Sequence, residues 1–143
     1  MEDFDSKFID AIANFFKRKI SKIILSRQAA FDLIDFAQSN YPNEFIAALG
    51  GKIKEESLII DRIYYQPFFS GKASATTSFK IPIGTGEIGT VHSHPSGTNR
   101  PSGQDLSLFS KKGVVHIIIS YPYEERNISL YDFHGNELNF EID

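Results

Sequence analysis

The chain has 143 residues, 41% of them apolar, with a formal charge of −3 and a pI near 5.8. This length suits one globular domain with one core, and the charge balance gives no basic footprint for nucleic acid or an anionic membrane surface. There is no cysteine, which excludes disulfides, thiol nucleophiles and thiolate zinc sites, so any metal must be held by His, Asp or Glu.

From the N-terminus, Phe4, Phe8, Ile12 and Phe15 recur at helical spacing over residues 4 to 18, with acids at the start and Lys17, Arg18 and Lys19 at the end. That pattern predicts an amphipathic helix whose charges suit its dipole. Its apolar face is expected to pack on the domain or on a partner. The acidic opening "MEDFDSKFID" lacks the basic start of a signal peptide, and no apolar run approaches the ~20 residues that span a bilayer. An intracellular, cytoplasmic protein is expected.

After the extended "SKIILS", Ser26 is placed to cap a second helix in which Ala30, Leu33, Ile34 and Ala37 share a face, and Pro42 closes the region. "EFIAALGG" and "SLIIDRIYY" flank a polar turn at Lys52 to Glu56 and predict a β-hairpin. "SGKASATTSF" is small and polar, "GTGEIG" reads as loop, and "TVHSH" is the strand that follows. The prolines and glycines of "PSGTNRPSG" require a loop, and "QDLSLFSKKG" predicts a short helix ending at Gly113. "VVHIIIS" is apolar enough for a central strand, and "NISLYDF" and "ELNFEI" are expected to pair around "HGN" as a closing hairpin. The order of elements predicts a single α+β domain over residues 1–143 with a mixed or antiparallel sheet, lacking the repeated βαβ units of a doubly wound fold.

The chemistry concentrates between residues 89 and 105. If "TVHSH" is a strand, its period of two puts His92 and His94 on one face, so that both imidazoles converge on a point. The following loop can return the chain so that Asp105 adds an oxygen there, leaving a fourth position as in catalytic zinc sites. A plainer reading stands beside this one. Ser102 and Asp105 have the Ser-x-x-Asp spacing of a helix cap, and an isolated His-x-His is commonly a surface pair. The two readings of Ser102 are compatible.

Together, "HSHPSGTNRPSGQD" fits His-x-His-Pro, six residues, then Ser-x-x-Asp. This resembles the signature of the JAMM (MPN-plus) zinc metalloproteases, most closely the short single-domain archaeal members. "YPNEFIAALGG" supplies the glutamate that the family carries after a proline, Glu44, and its Leu-x-Gly, Leu49 to Gly51. Ala47 stands where many members have glycine, at a packing position. The likeness runs from about Ile20 to the C-terminus and leaves the first helix outside. It implies a curved sheet flanked by helices, the MPN fold similar to that of cytidine deaminases. It also implies one catalytic Zn2+ on His92, His94 and Asp105, Glu44 as general acid/base and Ser102 as a donor to the oxyanion.

By the same resemblance, the expected activity is cleavage after the Gly-Gly C-terminus of a ubiquitin-like modifier, so that modifier conjugates are the expected partners. Processing of a sulfur-carrier protein with the same β-grasp form is the near alternative. A non-catalytic scaffold is the alternative from another class, although such relatives have lost ligands that this chain keeps. The modifier's tail is expected to add as a strand beside "SGKASATTSF", where Ala73 and Ala75 let a backbone approach closely. His116 inside "VVHIII" reads as a core or sheet-face residue, and His134 beside Gly135 as a solvated turn residue. Ser93 and Ser96 have no adjacent base and are not expected to be nucleophiles.

Overall fold

The computed structural model describes Asn14, residues 19–65 and residues 87–143. Asn14 is helical, as the predicted first helix requires, but the rest of that helix and the candidate edge at Ala73 and Ala75 lie outside the described residues.

The described strands form one curled mixed sheet, flanked by the two α-helices described in full, Arg27–Asn40 and Gly103–Phe109. Strand β1 (Lys22–Leu25) leads into helix α1 (Arg27–Asn40), whose N-cap Ser26 accepts a hydrogen bond from the Ala29 amide at 3.1 Å. The predicted inner stripe is correct: Ala30, Leu33 and Ala37 are buried, and Ile34 is partly so. The predicted hairpin is β2 (Ile46–Lys54) with β3 (Ser57–Tyr65). Its turn is shorter than expected, because both strands pair up to Lys54↔Ser57 and only Glu55 and Glu56 are left to reverse the chain, Glu55 with a left-handed φ of 58°.

Strand β4 (Glu87–His94) pairs antiparallel with β2 on one side. On the other it runs parallel to β5 (Val115–Ser120), reached through helix α2 (Gly103–Phe109). The reading of "GTGEIG" as loop is thus corrected from Glu87 onward. Gly89 lies in the ladder opposite Val115, where a Cβ would collide with the Val115 carbonyl, so here glycine marks a close backbone approach inside a sheet. Helix α2 stops at Phe109, earlier than predicted, since the amide of Lys111 bonds back to Leu108 in a tightened turn.

Strand β6 (Ile128–Asp132) pairs antiparallel with β5, and β7 (Glu137–Leu138) with β6. The closing hairpin is thus half right. Its second arm divides after Leu138, and β8 (Glu141–Ile142) joins β1 in parallel at the opposite edge. The sheet order is β7-β6-β5-β4-β2-β3-β1-β8, so Asn139 and Phe140 alone connect its two edges. Three residue steps span at most about 10 Å, which requires the sheet to curl until its edges nearly meet.

Alternation along the strands gives this sheet two unlike faces. One carries Val91, Ile117, Ile119, Ala47, Leu49 and Leu130 into the main core with α1. The other, beneath α2, carries Thr90, His92 and His94 from β4, His116 and Ser120 from β5, and Ser129 and Tyr131 from β6, all buried. Among the described residues, two small apolar clusters accompany them, Ile46 and Ala48 with Leu108 and the partly buried Tyr64, and Ile118 with Phe109 and Tyr131.

Candidate metal centre

The last turn of β4 presents His92 and His94 to the α2 side, and Asp105 meets them from the first turn of α2. His92 Nε2 lies 2.9 Å from Asp105 Oδ1, and His94 Nε2 lies 3.0 Å from Asp105 Oδ2. One ligand atom from each of the three residues falls within 4.8 Å of the others; the His92 and Asp105 side chains are buried and that of His94 nearly so. The helix-cap reading is also correct. Ser102 Oγ accepts from the Asp105 amide at 3.1 Å and Asp105 Oδ2 accepts from the Ser102 amide at 2.7 Å. The cap turns Asp105 back toward the histidines, so one bond pair starts the helix and aims the carboxylate.

Proton bookkeeping tests whether a cation fits. His94 Nδ1 lies 2.8 Å from the Thr98 carbonyl; a carbonyl only accepts, so Nδ1 carries the hydrogen and the Nε2 of a neutral ring faces the Asp105 carboxylate with a lone pair. His92 Nε2 approaches Oδ1 closely but off the line of a hydrogen bond, and neither of its ring nitrogens has a hydrogen-bond partner among the described residues. Acceptors facing acceptors in a buried site are stabilised only by a positive species between them. Zinc fits this donor set, two imidazole nitrogens and a carboxylate oxygen.

Without a metal, a proton on His94 Nε2, 3.0 Å from Asp105 Oδ2, is the positive species that fills the same place. Burial disfavours charge on His94, yet the Asp105 carboxylate, the Thr98 carbonyl and the charge of Glu44 together raise its pKa above the ordinary value. Burial would raise the pKa of Asp105, but the two imidazoles and the Ser102 amide hold it far below the usual carboxylate range. Its charge is thus retained under ordinary conditions, as a metal ligand requires.

Glu44 is exposed, two residues before β2 begins. The pairing Ile46↔His92 and the bonds between Phe45 and Ser93 bring the chain before β2 alongside the end of β4, and the charge of Glu44 is felt at His94. Two tethers fix this segment. The Phe45 amide donates to Ser93 Oγ at 2.9 Å, and the Phe45 ring meets Phe36 of α1 edge-on at 4.9 Å. Ser93 is therefore bound up in backbone support, while Ser96 is exposed. Ala47 is buried in the α1-side core, away from the metal ligands.

His116 is a core residue, as predicted. Its Nε2–H donates to the Gly113 carbonyl at 3.1 Å, leaving Nδ1 to accept from the Thr90 hydroxyl at 2.6 Å, and the ring stacks on Phe109 at 4.4 Å. Burial lowers its pKa to about 3, so it is a neutral wall of the site. His134 is exposed in its turn.

Sequence reasoning missed Asn99, Ser120, Ser129 and Tyr131. The available signal was the polar residues Ser120, Ser129 and Tyr131 placed in otherwise apolar strands, two of them at alternate positions of "ISLYD". Nothing local ties them to Asn99, which meets them only through the fold.

A His-His-Asp cluster at the end of a strand, closed by the first turn of the next helix, offers three ligands to one metal ion, a number that leaves a position open as in catalytic zinc sites. Comparison with known proteins specifies the class further. The model for prokaryotic homologs of the JAB domain matches residues 26–132. A probable metalloprotease of Haloferax volcanii is 30% identical over 125 residues, covering 79% of this chain and 77% of that protein. Among solved structures, a JAB1/MPN domain protein from Archaeoglobus fulgidus is 40% identical with a TM-score of 0.67, covering 82% of this chain and 96% of the other. A second, described as carrying JAMM, a metalloprotease-like zinc site in the proteasome and signalosome, is 35% identical with a TM-score of 0.66, covering 86% and 99%. The chain belongs to the JAB family and is a JAMM-type metalloprotease, in agreement with the resemblance read from its motif.

Proposed function

We propose that the protein is a zinc-dependent isopeptidase or peptidase that cleaves after the Gly-Gly C-terminus of a ubiquitin-like modifier, with His92, His94 and Asp105 as the zinc ligands. The observation that carries the metal assignment is the convergence of two imidazole nitrogens and a carboxylate within 4.8 Å, with His94 Nδ1–H already committed to the Thr98 carbonyl. Zinc held there supplies Lewis acidity and brings the pKa of water to about 7.

The chain's own residues do the remaining work. Glu44, whose charge acts on His94 and which is not one of the clustered ligands, takes the proton of the attacking water and delivers it to the leaving amine. Ser102 Oγ accepts from the Asp105 amide, which leaves its hydroxyl hydrogen to donate to the charge developing on the scissile carbonyl. The main-chain tethers at Phe45 hold Glu44 in place between turnovers.

The Gly-Gly specificity rests on the family resemblance and on the small residues around Ala73 and Ala75. No described helix is long and apolar enough to cross a membrane. A cytoplasmic setting belongs to the proposal, supported by a cysteine-free sequence that gains nothing from an oxidising compartment. Incubating the purified protein with ubiquitin-like conjugates and with C-terminally extended sulfur carriers, each with and without a zinc chelator, tests the reading. Chelator-sensitive release of a modifier ending in Gly-Gly is expected. Cleavage that survives removal of zinc, or of substrates with valine for the terminal glycine as readily as of the parent substrate, overturns it.

A further inference from the structure

The loop between β4 and α2 must hold the Thr98 carbonyl on His94 Nδ1, yet it makes few bonds of its own. Among the described residues its amides have weak internal partners, Gly97 to the His94 carbonyl at 3.4 Å and Arg100 to Thr98 Oγ1 at 3.3 Å. Asn99, the residue after Thr98, makes up this deficit. Its Nδ2 donates to the Asn127 carbonyl at 2.9 Å and to Ser129 Oγ at 2.6 Å, and its Oδ1 accepts from the Ser120 hydroxyl. Its own carbonyl accepts from the Tyr131 hydroxyl at 2.5 Å. Both amide hydrogens and both oxygens are engaged, and the partners come from the end of β5, the 3-10 turn Glu125–Asn127 and two alternate positions of β6.

Ser120, Ser129 and Tyr131 lie on the same sheet face as the histidines, with Ser120 paired directly to His94 across the β4–β5 ladder. The network therefore refers the loop to the rigid element that carries the ligand. We propose that Asn99 is the positioning residue of the metal centre: by pinning the loop to β5 and β6 it keeps the Thr98 carbonyl on His94 Nδ1–H and so directs the bare Nε2 to the metal. It touches neither metal nor substrate. Partners of this kind, which fix a ligating histidine's tautomer and direction, are typically worth 10–100-fold in metal affinity.

This inference rests on the zinc-site reading, and the experiment separates the two. Zinc affinity is measured by competition with a chromophoric chelator for the parent and for Asn99→Ala. The tautomer of His94 is read by 15N NMR of the metal-free proteins at alkaline pH, where the ring is neutral. Asn99→Ala is expected to bind zinc about 10–100-fold more weakly and to lose the pure Nδ1–H signature, a change that general loosening of the fold does not produce. Folded Asn99→Ala with parental zinc affinity and an unaltered tautomer overturns the proposal. Should that variant fail to fold, Tyr131→Phe decides: it removes only the bond to the Asn99 carbonyl and keeps the ring, so a several-fold loss of affinity supports the role and parental affinity refutes it. If the parent itself takes up no zinc, the metal reading falls, and the His94 tautomer in the two metal-free proteins alone judges Asn99.

Discussion

The two faces of β4 are one residue apart in sequence and differ in nearly everything else. Val91 points into the apolar core under α1, among Leu33, Ala47 and Ile117. His92 and His94 point the other way, into a layer of buried polar groups under α2 whose members are satisfied in a particular geometry or left facing one another. An apolar face tolerates change as long as volume is kept, whereas a buried polar layer depends on every partner. The stabilising and the chemical functions of this sheet are therefore separable by mutation, even though one strand serves both.

The largest effect should come from breaking the polar face at its centre. His92→Ala or Asp105→Ala leaves two ligands where three are needed, and zinc should be lost, with activity falling to background. Metal analysis of either purified variant checks this, and full occupancy would refute the ligand assignment. Next in size, Glu44→Gln is expected to keep one zinc per chain while turnover drops about 10²–10⁴-fold, measured under single-turnover conditions. An equal rate in Glu44→Gln would remove Glu44 from the mechanism.

The apolar face should respond in the opposite sense. Leu33→Ala removes a fully buried side chain of α1 and is expected to cost about 2–5 kcal/mol of stability by denaturant titration. Zinc stoichiometry and activity per folded molecule should stay at the parental level, and a matching loss of zinc would show that the two faces are coupled.

The smallest predicted effect is a pH dependence on the polar face. The pKa of His116 is lowered from 6.5 to about 3, so below about pH 6.5 the unfolded chain binds a proton that the folded chain refuses. Its contribution is neutral above pH 7 and turns against folding as pH falls from about 6.5 toward 3. By pH 5 the loss should reach about 2 kcal/mol. Chelator-treated parent and His116→Gln, unfolded in urea at pH 8 and pH 5, should differ in slope by about that amount, with the variant flatter. Parallel slopes would mean that His116 is protonated in the folded protein.

What the sequence by itself determined is local. The His-x-His alternation, the Ser26 and Ser102 caps, the α1 stripe and the β2–β3 hairpin follow from periods and spacings of a few residues, so they could be read from "TVHSH", "LSRQAAFDL" and their neighbours. The His-His-Asp cluster was legible for the same reason, since its members lie within 14 residues, His92 to Asp105. Tertiary structure alone decided what depends on distant partners. "ELNFEI" reads as one strand because alternation does not say which edge a residue joins; the curl of the sheet sends Glu137 to β6 and Glu141 to β1. "GTGEIG" reads as loop because the need for glycine at residue 89 comes from the Val115 carbonyl 26 residues on. Asn99 looks like any polar residue of a Pro/Gly loop until β5, β6 and the 3-10 turn between them bring four hydrogen-bonding groups to it. Hydrogen bonds across the sheet are set by register between strands, and register is a property of the assembled fold, not of any short stretch of chain.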